Sequence, residues 1–554
     1  MSNRIFVEAI FIASTFSSTR QDDVGWQDRS TVSHHIFESS FGSVSLRKRT
    51  SYPQTFATFE GSQLHIGYGD GSLARAVANT PLGDVPETCF YDDEFFYVYA
   101  DCVAQQVRIQ CDAYNTLLCF IGQRNERLAI TNVFERTVEL LDSDQLRLDE
   151  FALAEILTNR ESHERTLVKE VTKLYDRARL VWSRKGGVIE YPPDGSVAYI
   201  KDHDGEPIEF GERLEETIER YWERYSSETT PGFTLSYGLD SSIVAGYLAD
   251  KQIKGHYVTA GYPSAFGESQ QQKADLFRER YGIESQIFQM DPATDYPFSL
   301  RVQNGDWQPF YHRQELYDVT FEKMVGHLAR HNVTAMFMGI GGDELGENIP
   351  KRHMAVGEGG PMSGPLPRFL TVGYRQILHT RLPVPQTSKR PIPLLAHSVA
   401  MHYPNGNNIF LQHNIWPVIP LADARLYAYC QSLPIRYRHN KNILRAYAKA
   451  RQMPIQIAHP TANENFGPFL EESILKHMRP LFEYFLNNSS LERLGLLDIK
   501  AFWKIYGELG RAIDEHTANE RHPLVFAMYS LLLTEINLRS LFPHITPAQL
   551  KVLQ

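Results

Sequence analysis

Residues 233–242 read Phe-Thr-Leu-Ser-Tyr-Gly-Leu-Asp-Ser-Ser, and 243–248 continue Ile-Val-Ala-Gly-Tyr-Leu. A run of β-forming residues breaks into a Ser/Gly/Asp turn that opens a helix-like stretch at once. A strand ending in a small-residue loop at a helix N-terminus presents several unpaired backbone N–H groups, and the helix dipole favours negative charge there. Such a nest suits an anion, and pyrophosphate fits it. The Walker arrangement is absent: it needs Gly-x-x-x-x-Gly-Lys-Ser/Thr, and no such Lys is present.

At 554 residues the chain exceeds the usual single-domain size, so two domains are expected, each large enough for its own core. Residues 1–205 read as strand-rich: 64–68, 95–100 and 106–111 are short β-type runs separated by Gly, Asp and Asn turns, which predicts an antiparallel sandwich. The aromatic run at 95–99 is taken as one of its strands. From 206 to 554 helices alternate with strands, beginning with a helix over 212–225, which predicts a doubly wound parallel sheet in an α/β fold. After 420 the pattern is mostly helical. The polar stretch 201–207 is the expected linker, and the Gly- and Pro-rich stretches 356–369 and 382–394 are expected to form a mobile lid.

Composition narrows the class. Five cysteines, Cys89, Cys102, Cys111, Cys119 and Cys430, are scattered, odd in number and without a Cys-x-x-Cys pair. A disulfide scaffold or zinc ribbon is therefore not expected, and a reducing cytoplasm is. The apolar stretch 5–13 is short, interrupted by Glu8 and preceded only by Arg4, so it reads as a buried strand, not a signal peptide. No apolar run is expected to reach the roughly 20 residues that span a bilayer. A net charge of −10 gives no basic footprint for nucleic acid.

A second segment, 338–348, reads Met-Gly-Ile-Gly-Gly-Asp-Glu-Leu-Gly-Glu-Asn and follows the apolar run Ala-Met-Phe at 335–337. Two adjacent carboxylates after a Gly-rich turn at a strand's carboxyl end suit Mg2+, which takes oxygen ligands and bridges to phosphates. Asp240 and Asp343 are the expected metal ligands. Ligands of doubly wound sheets bind at such strand ends.

Together the two segments resemble the synthetase domain of the asparagine synthetase superfamily, of ATP-pyrophosphatase type, which includes β-lactam synthetases and lasso-peptide cyclases. Glu315-Leu-Tyr-Asp318, Pro420-Leu-Ala-Asp423, Leu433-Pro and Lys441-Asn-Ile-Leu-Arg445 are similar to further motifs of that family. The segment 107–118 is similar to a strand and turn of its glutaminase-like (Ntn) domain. The resemblance implies ATP and Mg2+ as cofactors, with phosphates cradled by Ser236, Gly238, Asp240, Ser241, Ser242, Gly339, Gly341 and Gly342. Adenine would rest near Leu235 and Ala260. Asp240, Asp343, Glu344 and Lys441 are the implied catalytic set.

Four departures from the family pattern shape the reading. Ser2 stands where glutamine-dependent members have a nucleophilic Cys, and no cysteine precedes Cys89, so glutamine hydrolysis is not expected. Tyr237 replaces the first Gly of the phosphate loop, and its ring must either point away or reshape the loop. Ile340 stands where relatives have Glu or Tyr near the acceptor amine, and isoleucine moves no proton. The family's late Lys falls at Asn463, which leaves Lys441 or Arg445 as its substitute.

These residues lead to the expectation of an AMP- and pyrophosphate-forming amide ligase without a glutaminase, and a peptide macrolactam cyclase fits best. Its partner would be a small molecule or a precursor peptide made with a leader-peptidase; no nucleic acid and no membrane are expected. The alternatives are a catalytically impaired nucleotide-binding regulator and an ammonia-dependent asparagine synthetase. Bland readings stand beside the sharp ones. Glu315 and Asp318 either join the site or brace a helix. His327 and His331, four apart, read as a solvated helix face rather than zinc ligands, and Lys273 either reaches phosphate or is a solvated lysine, the second reading being preferred.

Overall fold

In a computed structural model, the chain is described at the strands 6–12, 27–29, 32–39 and 42–48, and then from 55 to 550 with breaks. The longer breaks are 142–145, 159–164, 193–208, 226–229, 312–316, 347–365, 381–396, 461–465 and 513–521. The expected 205/206 boundary, the linker 201–207, Glu315, Asn463 and most of the expected lid lie outside the described residues.

The N-terminal part is built from two antiparallel sheets. One has seven strands in the order Val171–Lys173, Phe120–Arg124, Arg127–Thr131, Phe6–Ile12, Gly42–Lys48, Val32–Ser39, Gln27–Arg29. The other has six, running Gly186–Glu190, Arg179–Ser183, Gln106–Cys111, Phe96–Asp101, Gln63–Tyr68, Thr55–Glu60. Ile121, Leu128 and Ile130 of the first sheet share one buried cluster with Leu64, Val98 and Ile109 of the second, so apolar side chains fill the space between layers. The expected strands at 64–68, 95–100 and 106–111 are present, and Phe95 and Phe96 belong to that core.

Beyond it lies a five-stranded parallel sheet in the order Gln286–Gln289, His256–Gly261, Gly232–Thr234, Ala335–Phe337, Trp416–Val418. Short apolar runs buried on both faces are what a parallel sheet between helices demands. An aromatic ladder crosses three strands: Phe233 stacks on Tyr257 at 4.5 Å and on Phe337 at 5.6 Å, each pair contributing about 1 kcal/mol beyond its burial. The chain builds outward from 232–234 through 256–261 to 286–289, then returns to place 335–337 on the opposite side. Strand order therefore reverses between 232–234 and 335–337, and a crevice opens at their carboxyl ends.

The helix expected at 212–225 spans Phe210–Tyr225 and buries Phe210, Leu214, Ile218, Tyr221 and Tyr225, one stripe at helical spacing. The helical region after 420 follows expectation with one correction. Helix His522–Leu541 contains a 19-residue stretch, Pro523–Leu541, long and apolar enough to cross a membrane, which the sequence reading denied. In this fold it is a core helix: 78% of the stretch is buried. Its Glu535 accepts from Ser489 Oγ at 2.8 Å and the Ser490 and Leu491 N–H groups, and pairs with Arg539. The described end of the expected lid is packed down, with Leu366 and Phe369 buried.

Candidate functional site

The phosphate-type loop leaves the 232–234 strand and enters helix Leu239–Asp250. Leu235 is still tied to the sheet, its N–H donating to Val258 O at 2.9 Å. Ser236 and Ser241 then close the turn on themselves: the Ser236 N–H donates to Ser241 Oγ at 3.2 Å, and the two hydroxyls lie 3.1 Å apart. Gly238 is the helix N-cap and supplies no side-chain cap, so the first-turn N–H groups face the crevice without one.

Tyr237 resolves the question its presence raises. It takes the left-handed conformation, φ 59°, that a glycine adopts freely and that costs another residue about 1–3 kcal/mol. Its ring points away from the loop and is 2% exposed, packed edge-on against Phe277, with its hydroxyl 2.7 Å from Ser285 Oγ. Ser285 in turn accepts from Thr259 Oγ1 at 2.7 Å. The loop thus keeps a glycine-like backbone at position 237 without a glycine there.

The acidic loop leaves the 335–337 strand, with the Met338 N–H held by Val418 O at 2.9 Å. Its glycines are the points of closest approach. A Cβ at Gly339 would lie 2.4 Å from Ser241 N, one at Gly341 (φ 103°) 2.5 Å from Ala422 N, and one at Gly342 2.2 Å from Asp240 Cγ. Helix Gly342–Gly346 carries Asp343 and Glu344 in its first turn. The two loops singled out in the sequence therefore touch.

Lys441 joins them. Its Nζ lies 2.7 Å from Asp240 Oδ2 and 2.5 Å from Asp343 Oδ1. Lys441 and Asn440 both have left-handed backbone, φ 56° and 55°, and a Cβ on Gly346 would lie 2.7 Å from Lys441 Cα. Strain at two successive non-glycine residues is held by that close packing. Burial pushes Asp240 up to about 6, Lys441 opposing and Asp343 reinforcing the rise. Burial works to lower Lys441, but Asp240 and Asp343 together raise it.

Asp240 Oδ1 and Ser242 Oγ are buried and have no hydrogen-bond partner. An orphaned carboxylate oxygen facing a half-exposed acidic loop suits a divalent cation, so the residues present fit Mg2+. Among the described residues no group of three His, Cys, Asp or Glu side chains is arranged to hold a metal, but Mg2+ needs only one or two carboxylates beside phosphates and waters.

The remaining candidates divide. Ala260 lies next to the last residue of the neighbouring strand His256–Gly261, and Gln270, which the sequence reading did not single out, links the two walls by donating to Ala260 O at 3.0 Å and Ser236 O at 3.4 Å. Its only sequence signal is a polar residue on the inner face of helix Ala265–Tyr281. Lys273 on that helix is 3% exposed, so the solvated reading is corrected. Ile340 is 39% exposed on the acidic loop. Asp318 is buried and accepts from the Val319 N–H at 2.9 Å. The rings of His327 and His331 lie 4.4 Å apart and those of His331 and His256 4.6 Å apart, each pair tilted by 42°, at the far end of the strands. Cys89, Cys111, Cys119 and Cys430 are free thiols.

Against models of known families, the chain matches asparagine synthase over residues 209–370 and 411–534, slightly more than half its length. No curated protein matches it. Among solved structures, it is similar to NMN synthetase from Francisella tularensis at 10% identity, covering 60% of this chain and 97% of that one, with a TM-score of 0.25. It is also similar to the glutamine phosphoribosylpyrophosphate amidotransferase of B. subtilis, at 10% identity over 53% of this chain and 77% of that one, TM-score 0.18. Likenesses with scores this low carry no functional inference.

Proposed function

Because the chain belongs to the asparagine synthase family, we propose that it is an ATP-dependent ligase that adenylates a substrate carboxylate and joins it to an amine, releasing pyrophosphate and AMP. The observation that carries this reading is the meeting of two loops at one strand-order reversal, with the unpartnered Asp240 Oδ1 between them.

ATP lies across 236–242 and 339–344, its adenine against Leu235 and Ala260, and the uncapped first turn of helix Leu239–Asp250 holds the phosphates. A carboxylate oxygen attacks the α-phosphorus, the bond to the β-phosphate oxygen breaks, and pyrophosphate leaves. The amine then attacks the acyl carbon and displaces AMP. Asp240 and Asp343 would hold Mg2+, assisted by Glu344; when bound, the ion would neutralise charge on the leaving pyrophosphate. Lys441, next to both aspartates, steadies the charge that develops during acyl transfer.

The finer reading is a peptide macrolactam cyclase acting in the cytoplasm on a precursor peptide freed by a leader-peptidase. It is supported by Ile340, which offers no proton acceptor beside the crevice. That residue also argues against ammonia-dependent asparagine synthesis. The antiparallel part is then read as a glutaminase-like Ntn domain. One observation favours a regulator instead: an ammonium already sits between the two proposed metal ligands.

Pyrophosphate release decides between them. Purified protein with Mg-ATP and a carboxylate-bearing peptide is expected to release pyrophosphate, and Asp343→Ala to abolish it. No release from any peptide tried, with Asp343→Ala leaving the cellular phenotype intact, would sink the enzyme reading.

A further inference from the structure

The antiparallel part buries a carboxylate where it meets the parallel sheet. Glu94 is 1% exposed and accepts from Thr116 Oγ1 at 2.9 Å on its own side of the contact. From the other side it accepts from Tyr225 OH at 2.7 Å and Trp416 Nε1 at 3.0 Å. A buried carboxylate is costly unless its oxygens are satisfied, and removing it strands buried donors in turn. The two parts are thus tied by a group that tolerates little displacement.

Trp416 opens the edge strand Trp416–Val418, which pairs with the strand that delivers the acidic loop. Its other end is held from the same side. Tyr114 OH lies 3.2 Å from Tyr221 OH, which lies 3.5 Å from Asp423 Oδ2, and Arg220 pairs with that same oxygen at 2.6 Å. Between the two anchors runs the turn Pro420–Ala422, the surface on which Gly341 rests. Segment 416–423 is therefore the seat of the acidic loop, and the antiparallel part reaches it at both ends.

We infer that the antiparallel part serves this protein as a clamp on the adenylation site, and that Glu94 is a positioning residue acting through Trp416 on the acidic loop. This gives the N-terminal part a role that needs no glutamine chemistry. The inference rests on reading 339–344 as part of the nucleotide site.

The test compares Glu94→Gln with Glu535→Gln, a second fully buried carboxylate held by Ser489, Ser490, Leu491 and Arg539 in the C-terminal helical layer. Both variants of the full chain are expected to melt at lower temperature. Mg-ATP affinity, measured calorimetrically at a temperature where both are folded, is expected to weaken roughly tenfold for Glu94→Gln alone. Equal Mg-ATP affinity in the two variants overturns the clamp. If Glu94→Gln does not fold, Trp416→Phe, which removes one donor and keeps a ring against Tyr68, is expected to weaken Mg-ATP binding several-fold, and unchanged binding overturns the inference. Failure of the unsubstituted protein to bind Mg-ATP overturns the nucleotide-site reading itself, and the clamp with it.

Discussion

The hydroxyl of Tyr237 meets Ser285 Oγ at 2.7 Å, beneath the loop rather than in it. A residue that breaks the glycine pattern is thereby converted into an anchor, because the hydrogen bond and the ring's burial offset the strained backbone. Tyr237→Phe should keep the ring packing and lose only the bond, lowering stability to chemical denaturation by about 1 kcal/mol. Mg-ATP binding should change little. A large loss of binding without loss of stability would show that the hydroxyl faces the ligand after all.

Gly342 admits no side chain. An added methyl group would meet Asp240 Cγ at 2.2 Å, so Gly342→Ala must push the two loops apart. A displacement of about 1 Å is expected to reduce pyrophosphate release on the order of 100-fold. Gly373→Ala, in helix Val372–Thr380 with open space around it, should be neutral or stabilise by about 0.5–1 kcal/mol. Thermal melts and pyrophosphate assays on the pair separate a local clash from a general intolerance of alanine.

Lys441 and a divalent cation should compete for the same two carboxylates. Lys441→Met leaves Asp240 and Asp343 without their ammonium, and nucleotide-free protein is expected to bind Mn2+ at least about tenfold more tightly, as read by electron paramagnetic resonance. Pyrophosphate release should fall in the same variant. Lys441→Arg should restore neither property, since a planar guanidinium does not sit as a point charge between two oxygens.

The cluster of His256, His327 and His331 predicts a pH dependence of stability. Burial, and then His331, lower His256 below its usual 6.5; burial, His331, Arg330 and His256 lower His327. The unfolded chain therefore binds more protons than the folded one just below pH 6.5, so stability is full above that value and is lost as pH falls through it. The melting temperature should drop between pH 7.5 and 5.5, and His331→Asn should shrink the drop. An identical drop in that variant would assign it to other groups.

What the sequence revealed and what it hid follow from how local each interaction is. The loop at 236–242 and the acidic loop were legible because each is a contiguous strand–turn–helix signal. The orientation of Tyr237 was not, since it depends on Ser285 and Phe277 across the helix layer. Lys441 was identified from a resemblance, but its double ion pair joins segments some 200 residues apart and needs two left-handed residues that no propensity announces. Glu94 lies in the acidic run Tyr-Asp-Asp-Glu, which reads as an exposed turn, and only the packing of Tyr225 and Trp416 makes it a buried anchor. Lys273 and the helix at 522–541 were misread for the same reason: burial is a property of what covers a residue, not of the residue.

The reversal of strand order has a consequence for synthesis on the ribosome. The 232–234 strand pairs on one side with its near neighbour at 256, but its other edge waits for residue 336, about a hundred residues later. At roughly 5–20 residues per second, that edge stays open for about 5–20 s in a nascent chain. The seat at 416–423 and Lys441 emerge later still, so the ion pair that joins the two aspartates forms about a hundred residues after the acidic loop has been made.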